Sequence, residues 1–107
     1  MFLMMIEIEA MHEAADEAAR LLKVLANPDR LMLLCRLSQG EASVGELEAD
    51  LGILQPTLSQ QLTVLREEGL VETRREGKYI FYRVASARAL AVLKVLYDQF
   101  CARKGSK

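Results

Sequence analysis

Residues Ser43–Arg83 read SVGELEADLGILQPTLSQQLTVLREEGLVETRREGKYIFYR. Ser43 followed by Glu46 is a capping-box pattern, and it starts a short helix that Gly52 ends. Pro56 opens the next helix, which runs to Glu68 and stops at Gly69. Leu58, Leu62 and Leu65 fall at helical spacing and form its inward stripe. Val71 to Arg75 and Tyr79 to Val84 are rich in β-branched and aromatic residues around a Glu76-Gly77-Lys78 turn, so they read as a hairpin. Helix, tight turn, helix and basic hairpin, in that order, spell a winged helix-turn-helix. The second helix of such a unit enters the DNA major groove.

Working outward, residues 8–26 carry Ala14, Ala18, Leu21, Leu22 and Leu25 at helical spacing. Asn27-Pro28 caps and restarts the chain, since Pro at a first helical position lacks only an N–H that would be unpaired anyway. A second helix then runs to about Gln39 and ends at Gly40. Ser86 caps a last helix that runs to about Arg103, with Leu90, Leu93, Tyr97 and Phe100 along one face. The expected architecture is mainly α with a small β-hairpin: four helices, two strands, then a fifth helix. It forms one domain over residues 1–107, with the helix-turn-helix at 43–68 and the wing at 71–84. The tail from Lys104 to Lys107 is expected to fray.

Composition limits the function classes. The chain has 107 residues, two of them cysteine and none tryptophan, and half of it is apolar. A domain this small buries a modest share of its surface and often dimerises. No stretch approaches the roughly 18 apolar residues of a membrane span. The apolar start at Met1–Ile6 lacks a basic flank and runs into Glu7 and Glu9, which argues against a signal peptide. A cytoplasmic setting follows, where a standing structural disulfide is not expected. The net charge of −1 hides an asymmetry: residues 1–50 carry four basic and ten acidic side chains, residues 51–107 ten basic and five acidic. A basic second half points to a polyanion met mainly by that half.

With the leucines of the fourth helix turned inward, Gln55, Thr57, Ser59, Gln60 and Thr63 remain near its start or on its outer face. Gln can pair with adenine, and Ser or Thr can contact several bases or phosphates. Arg74, Arg75 and Lys78 surround the wing tip, where basic side chains neutralise phosphates without much sequence choice. The expected partner is double-stranded operator DNA. Nothing in the pattern calls for a cofactor, a catalytic set or a membrane.

These residues resemble a family. Asn27-Pro28-Asp29-Arg30-Leu31, Gln55-Pro56-Thr57-Leu58-Ser59-Gln60-Gln61-Leu62, Gly69-Leu70-Val71 and the Arg-rich wing look like an ArsR/SmtB-type repressor over nearly the whole chain. The resemblance implies a homodimer held by its first and last helices, here 8–26 and 86–103, with an effector that releases operator DNA. Many members carry metal-binding cysteines on the helix before the recognition helix, where this chain has Ser43-Val44-Gly45-Glu46-Leu47. Others carry His and Asp ligands on the last helix, but the only histidine here is His12. No metal site is therefore expected.

The two cysteines, Cys35 and Cys101, flank the DNA-reading segment 66 positions apart. With SVGELEADLGI, QPTLSQQL, VETRR and IFYR around them, their placement looks like the BigR/SqrR subgroup. That resemblance implies that Cys35 and Cys101 are sensing thiols for small sulfur electrophiles, persulfides and polysulfides, and that the regulated genes handle sulfide detoxification. The chemistry is sound: a thiolate attacks a sulfur electrophile and a second thiol resolves the product. Arg36, Arg103 and Lys104 are expected to favour thiolate, and a helix C-terminus near Cys101 to disfavour it. Other readings of the pair stay open: inert core thiols, soft ligands for a thiophilic metal or arsenical, or a general thiol-oxidation switch.

Overall fold

The computed structural model describes residues 7–101. The chain forms α1 (Ile8–Leu25), α2 (Pro28–Leu37), β1 (Ala42–Ser43), α3 (Val44–Leu51), α4 (Thr57–Glu67), β2 (Val71–Glu76), β3 (Tyr79–Val84) and α5 (Ala87–Leu96). The caps expected from the sequence are present. The Asn27 side chain accepts from the Arg30 N–H, Ser43 and Glu46 close a reciprocal capping box, and Ser86 accepts from the Ala89 N–H. Each satisfies donors that a helix start leaves unpaired.

Three features correct the sequence reading. The hairpin belongs to a three-stranded antiparallel sheet in the order β1-β3-β2, with Ala42 opposite Tyr82 and Ser43 opposite Phe81. Two residues are too short a run to carry a strand periodicity, so β1 was invisible in the pattern. The last helix does not stay α-helical to Arg103: α5 ends at Leu96, and Tyr97–Cys101 continues as a π-helical turn. Of the face expected on it, only Leu93 is buried, while Leu90, Tyr97 and Phe100 stay exposed. Arg103, Lys104 and the rest of the tail, like the Met1–Ile6 segment, lie outside the described residues.

The core is leucine-rich. Leu33, Leu34, Leu47, Leu58, Leu62 and Leu65 are fully buried, and Leu25, Leu37, Leu70 and Leu93 close around them. Arg30 braces the back of α4: its guanidinium donates to the Val24 carbonyl at 2.6 Å and to Gln61 Oε1 at 2.8 Å. That one side chain joins α1, α2 and α4. Arg20 pairs with Glu68 at 3.0 Å and Arg88 with Glu17 at 3.5 Å, linking α1 to the end of α4 and the start of α5.

By contrast, α1 is exposed along residues 8–20 and buries only Val24 and Leu25. Ile8, Met11 and Leu22 on α1, and Val95, Tyr97 and Phe100 at the other end of the chain, present large apolar side chains to solvent. The Cα radius of gyration is 15.9 Å, against about 13 Å for a compact chain of this length.

The exit from α4 sets where the wing begins. The Leu70 N–H donates to the Leu65 carbonyl at 2.9 Å and the Gly69 N–H to the Arg66 carbonyl at 3.0 Å. This is a Schellman ending, which needs a left-handed residue at Gly69, and its φ is +78°. Replacing Gly69 by Ala is expected to cost about 1–2 kcal/mol. Gly45, inside α3 with open space where a Cβ would go, is expected to gain about 0.4–1 kcal/mol on the same change. Denaturant unfolding of the two variants checks the opposite signs.

Candidate nucleic-acid interface and thiol groove

All five polar residues expected to face DNA, Gln55, Thr57, Ser59, Gln60 and Thr63, are exposed. The cause is the burial of Leu58, Leu62 and Leu65 on the opposite side of α4. Three of the five are tied to one another by hydrogen bonds. The Ser59 hydroxyl donates to Gln55 Oε1 at 2.7 Å, which turns the Gln55 amide N–H groups outward. The Thr63 hydroxyl donates to the Ser59 carbonyl at 2.9 Å. No side chain caps the start of α4, where the Leu58 N–H donates to the Leu54 carbonyl at 2.9 Å and the Gln60 N–H to the Pro56 carbonyl at 3.0 Å.

The wing divides its cations. Arg75 and Lys78 are exposed and make no ion pair among the described residues, with Lys78 Nζ 5.6 Å from the Tyr79 ring centroid. Arg74 departs from the expectation of a free phosphate contact. It holds Glu41 bidentately at 2.7 and 3.0 Å, donates to Glu76 at 3.0 Å and stacks 4.8 Å above the Phe81 ring centroid. The hydrogen bond from Arg74 pulls the Glu41 carboxyl below its ordinary range, and the two carboxylates push the Arg74 guanidinium up. Glu41 sits 33 positions from Arg74 and gave no sign of this role in the sequence. β1 brings it there.

Cys35, half-buried on α2, and Cys101, exposed in the π-helical turn, are free thiols lining one groove of about 650 Å³. Ser38, Leu90, Leu93, Lys94, Tyr97 and Asp98 also line it. Burial pushes the Cys35 thiol up from its ordinary range, and the negative charge of a Cys101 thiolate pushes it further. Arg36 does not act as expected on the thiol. Its guanidinium donates to Asp50 at 2.8 Å and to the Gly40 carbonyl at 3.2 Å, tying the end of α2 to α3. Lys94, missed in the sequence, places a cation in the groove, paired with Asp98 at 3.2 Å. Among the described residues, no three His, Cys, Asp or Glu side chains are grouped to hold a metal ion. No helix among them is long and apolar enough to cross a membrane.

A family model described as "Bacterial regulatory protein, arsR family" matches residues 27–73, from the α2 cap into β2. The chain is 62% identical to the biofilm growth-associated repressor of Agrobacterium fabrum over 91% of its own length and 83% of the relative's. The chain belongs to the ArsR family. Its fold matches the crystal structure of the transcriptional repressor BigR from Xylella fastidiosa, with a TM-score of 0.83 and 58% identity over 91% of this chain and 96% of that one. It also matches the homodimeric winged helix-turn-helix DNA-binding domain Mb0332 from Mycobacterium bovis, with a TM-score of 0.69 and 36% identity over 92% and 94% of the two chains. The protein is a DNA-binding transcriptional regulator of winged helix-turn-helix fold.

The wing yields a test with opposite signs. Replacing Arg75 and Lys78 by Ala is expected to flatten the dependence of DNA affinity on salt. Glu41→Gln, which releases Arg74, is expected to steepen it, by about 0.9 in log–log slope for each phosphate gained. Fluorescence anisotropy across a salt series reads both. The thiols give a second test. Cys101, being exposed, is expected to alkylate first with iodoacetamide, and Cys35 labelling to keep rising at pH values where an ordinary thiol, with a pKa of about 8.5, is already fully thiolate and has levelled off. Because the folded state raises the Cys35 value, the protonated thiol contributes stability at neutral pH that is lost as pH climbs through that value. Site-resolved mass spectrometry and unfolding at several pH values check the pair.

Proposed function

We propose that the protein is a homodimeric repressor that binds operator DNA when reduced and releases it when reactive sulfur links Cys35 to Cys101. The observation that carries this reading is the shared groove: the only two cysteines of the chain line one cavity. The repressor role draws on the relatives named as repressors. The homodimer draws on the Mycobacterium bovis domain and on the uncovered apolar stripes of α1 and the C-terminal turn.

In this reading α4 of each protomer enters one major groove, with Gln55, Thr57, Ser59, Gln60 and Thr63 at base edges and phosphates. Arg75, Lys78 and, once exchanged from Glu41, Arg74 hold the flanking backbone. The operator is a near-palindrome whose half-sites lie about one helical turn apart. The exposed Cys101 reacts first: its thiolate attacks the outer sulfur of a persulfide, giving a Cys101 persulfide and releasing the donor as thiolate. Cys35 then attacks the inner sulfur of that persulfide, forming a disulfide and expelling hydrosulfide. If a second donor first lengthens the chain on Cys101, attack by Cys35 on the middle sulfur leaves a trisulfide and again expels hydrosulfide. In both routes the two protein thiols are oxidised and sulfane sulfur is reduced.

The bridge acts on DNA through α2. Leu33 and Leu34 of α2 are buried in the same core as the α4 leucines, and Arg36 ties the end of α2 to α3. Fixing α2 to the C-terminal turn therefore changes how the two recognition helices are held across the dimer. The genes controlled are those of sulfide detoxification, a reading that rests on the resemblance of the cysteine placement.

The test is DNA binding by reduced protein before and after glutathione persulfide, with intact mass measured on the same samples. The expected result is about a 5–150-fold loss of affinity, typical of coupled sites, together with a Cys35–Cys101 link. Cys35→Ser and Cys101→Ser are expected to bind as tightly as the reduced protein and not to release. Unmodified thiols after treatment, or release by the serine variants, defeats the sensing role.

A further inference from the structure

Leu54 is 70% exposed, the most exposed of the large apolar side chains among the described residues. It does not lie on a frayed end. Its neighbour Ile53 is 7% exposed and anchors the turn in the core. Its own carbonyl accepts from the Leu58 N–H at 2.9 Å, opening the hydrogen-bond ladder of α4. The backbone at Leu54 is therefore fixed while its side chain stands in water.

The position is a costly one for leucine. An isobutyl group held in water forgoes the burial that stabilises a leucine. The cap position of α4 itself is Pro56, two residues on, and α4 starts without a side-chain cap. A residue that leaves an isobutyl group in water on a fixed backbone breaks a local preference, and such breaks collect at functional sites. Leu54 also lies far in sequence from the exposed apolar residues of α1 and the C-terminal turn. Its immediate neighbours are instead Gln55, with its amide turned outward, and Ser59 one turn on.

One partner chemistry meets an apolar side chain at the head of a recognition helix. In the major groove only thymine offers a hydrocarbon group, its 5-methyl. We propose that Leu54 is a base-reading residue, packing on a thymine methyl in each operator half-site beside the base contacted by Gln55. Water leaves both surfaces when they meet, and a half-site lacking that methyl leaves the leucine exposed. The inference rests on α4 being the base-reading helix and is independent of the thiol chemistry.

The test uses duplexes selected from a random-sequence pool by the reduced protein. These are resynthesised with deoxyuridine replacing thymidine one position at a time, which removes only the methyl group. For the unaltered protein, one thymine per half-site is expected to lose about fourfold in affinity, the value of burying a single methyl. Leu54→Ser is expected to be indifferent to that replacement and to unfold no more readily, since the side chain it removes is exposed. Equal binding to every deoxyuridine duplex overturns the proposal, as does a Leu54→Ser protein that keeps the same methyl sensitivity. A Leu54→Ser protein whose sedimentation changes while its methyl sensitivity does not assigns Leu54 to a contact between copies and overturns it too. The double variant Gln60→Ala, Thr63→Ala separates the two levels. If it binds like the unaltered protein, the reading of α4 itself fails, whereas if it weakens while deoxyuridine has no effect, only Leu54 is misassigned.

Discussion

The burial of Leu58, Leu62 and Leu65 is the constraint on which the rest depends. These three side chains retain at most 1% exposure, and they fix the rotation of α4 about its own axis. A helix has only two sides at this scale, so seating the leucines on Leu33, Leu34 and Leu47 forces Gln55, Ser59, Gln60 and Thr63 into solvent. The recognition surface is thus set by the core. A change under α4 that lets the helix roll by one residue, about 100°, would replace that polar row with a different one and leave the fold nominally intact. Arg30 acts against that roll, because its guanidinium holds Gln61 on the inner flank and the Val24 carbonyl at the end of α1.

The same packing explains why chemistry at the edge of the molecule can reach the DNA face. α2 supplies Leu33, Leu34 and Leu37 to the core, Cys35 to the thiol groove and Arg36 to the tie with α3. One ten-residue helix therefore touches the thiol groove, the helix-turn-helix and the base of α4. Close-packed interiors transmit small displacements because they have no void to absorb them. The far wall of the groove is the π-helical turn, whose end carries Cys101. π turns are rare and concentrate at functional positions, and here the irregular turn delivers one of the two thiols.

Much of this was legible before any coordinates. Leucines at helical spacing, three side-chain caps and a Gly-centred hairpin are local signals, and each locates an element by its own chemistry. What escaped was non-local or too short to have a period. β1 is two residues long. Glu41 meets Arg74 only because β1 pairs with β3, so a cation that reads as free in the sequence is held by a carboxylate from across the sheet. Arg36 likewise reads as a thiolate helper beside Cys35, yet a helical neighbour points about 100° away, and Asp50 was there to take it. The placement of Lys94 in the thiol groove followed the fold of α5 onto α2, which no spacing in the sequence encodes.

The exposed faces are the other half of the argument. A chain that leaves Ile8, Met11 and Leu22 on one helix and Val95, Tyr97 and Phe100 at its other end uncovered has not finished burying its apolar surface. Both segments sit beside functional groups: the C-terminal turn carries Cys101, and α1 is paired through Arg20 to Glu68 at the end of α4. Covering these stripes with a second copy would set the separation of two recognition helices through the same segments that hold Cys101 and the end of α4. Thiol groove, dimer contact and DNA spacing would then become one mechanical problem. A covalent link of one or two extra atoms between α2 and the C-terminal turn would act directly on the geometry that two operator half-sites must match.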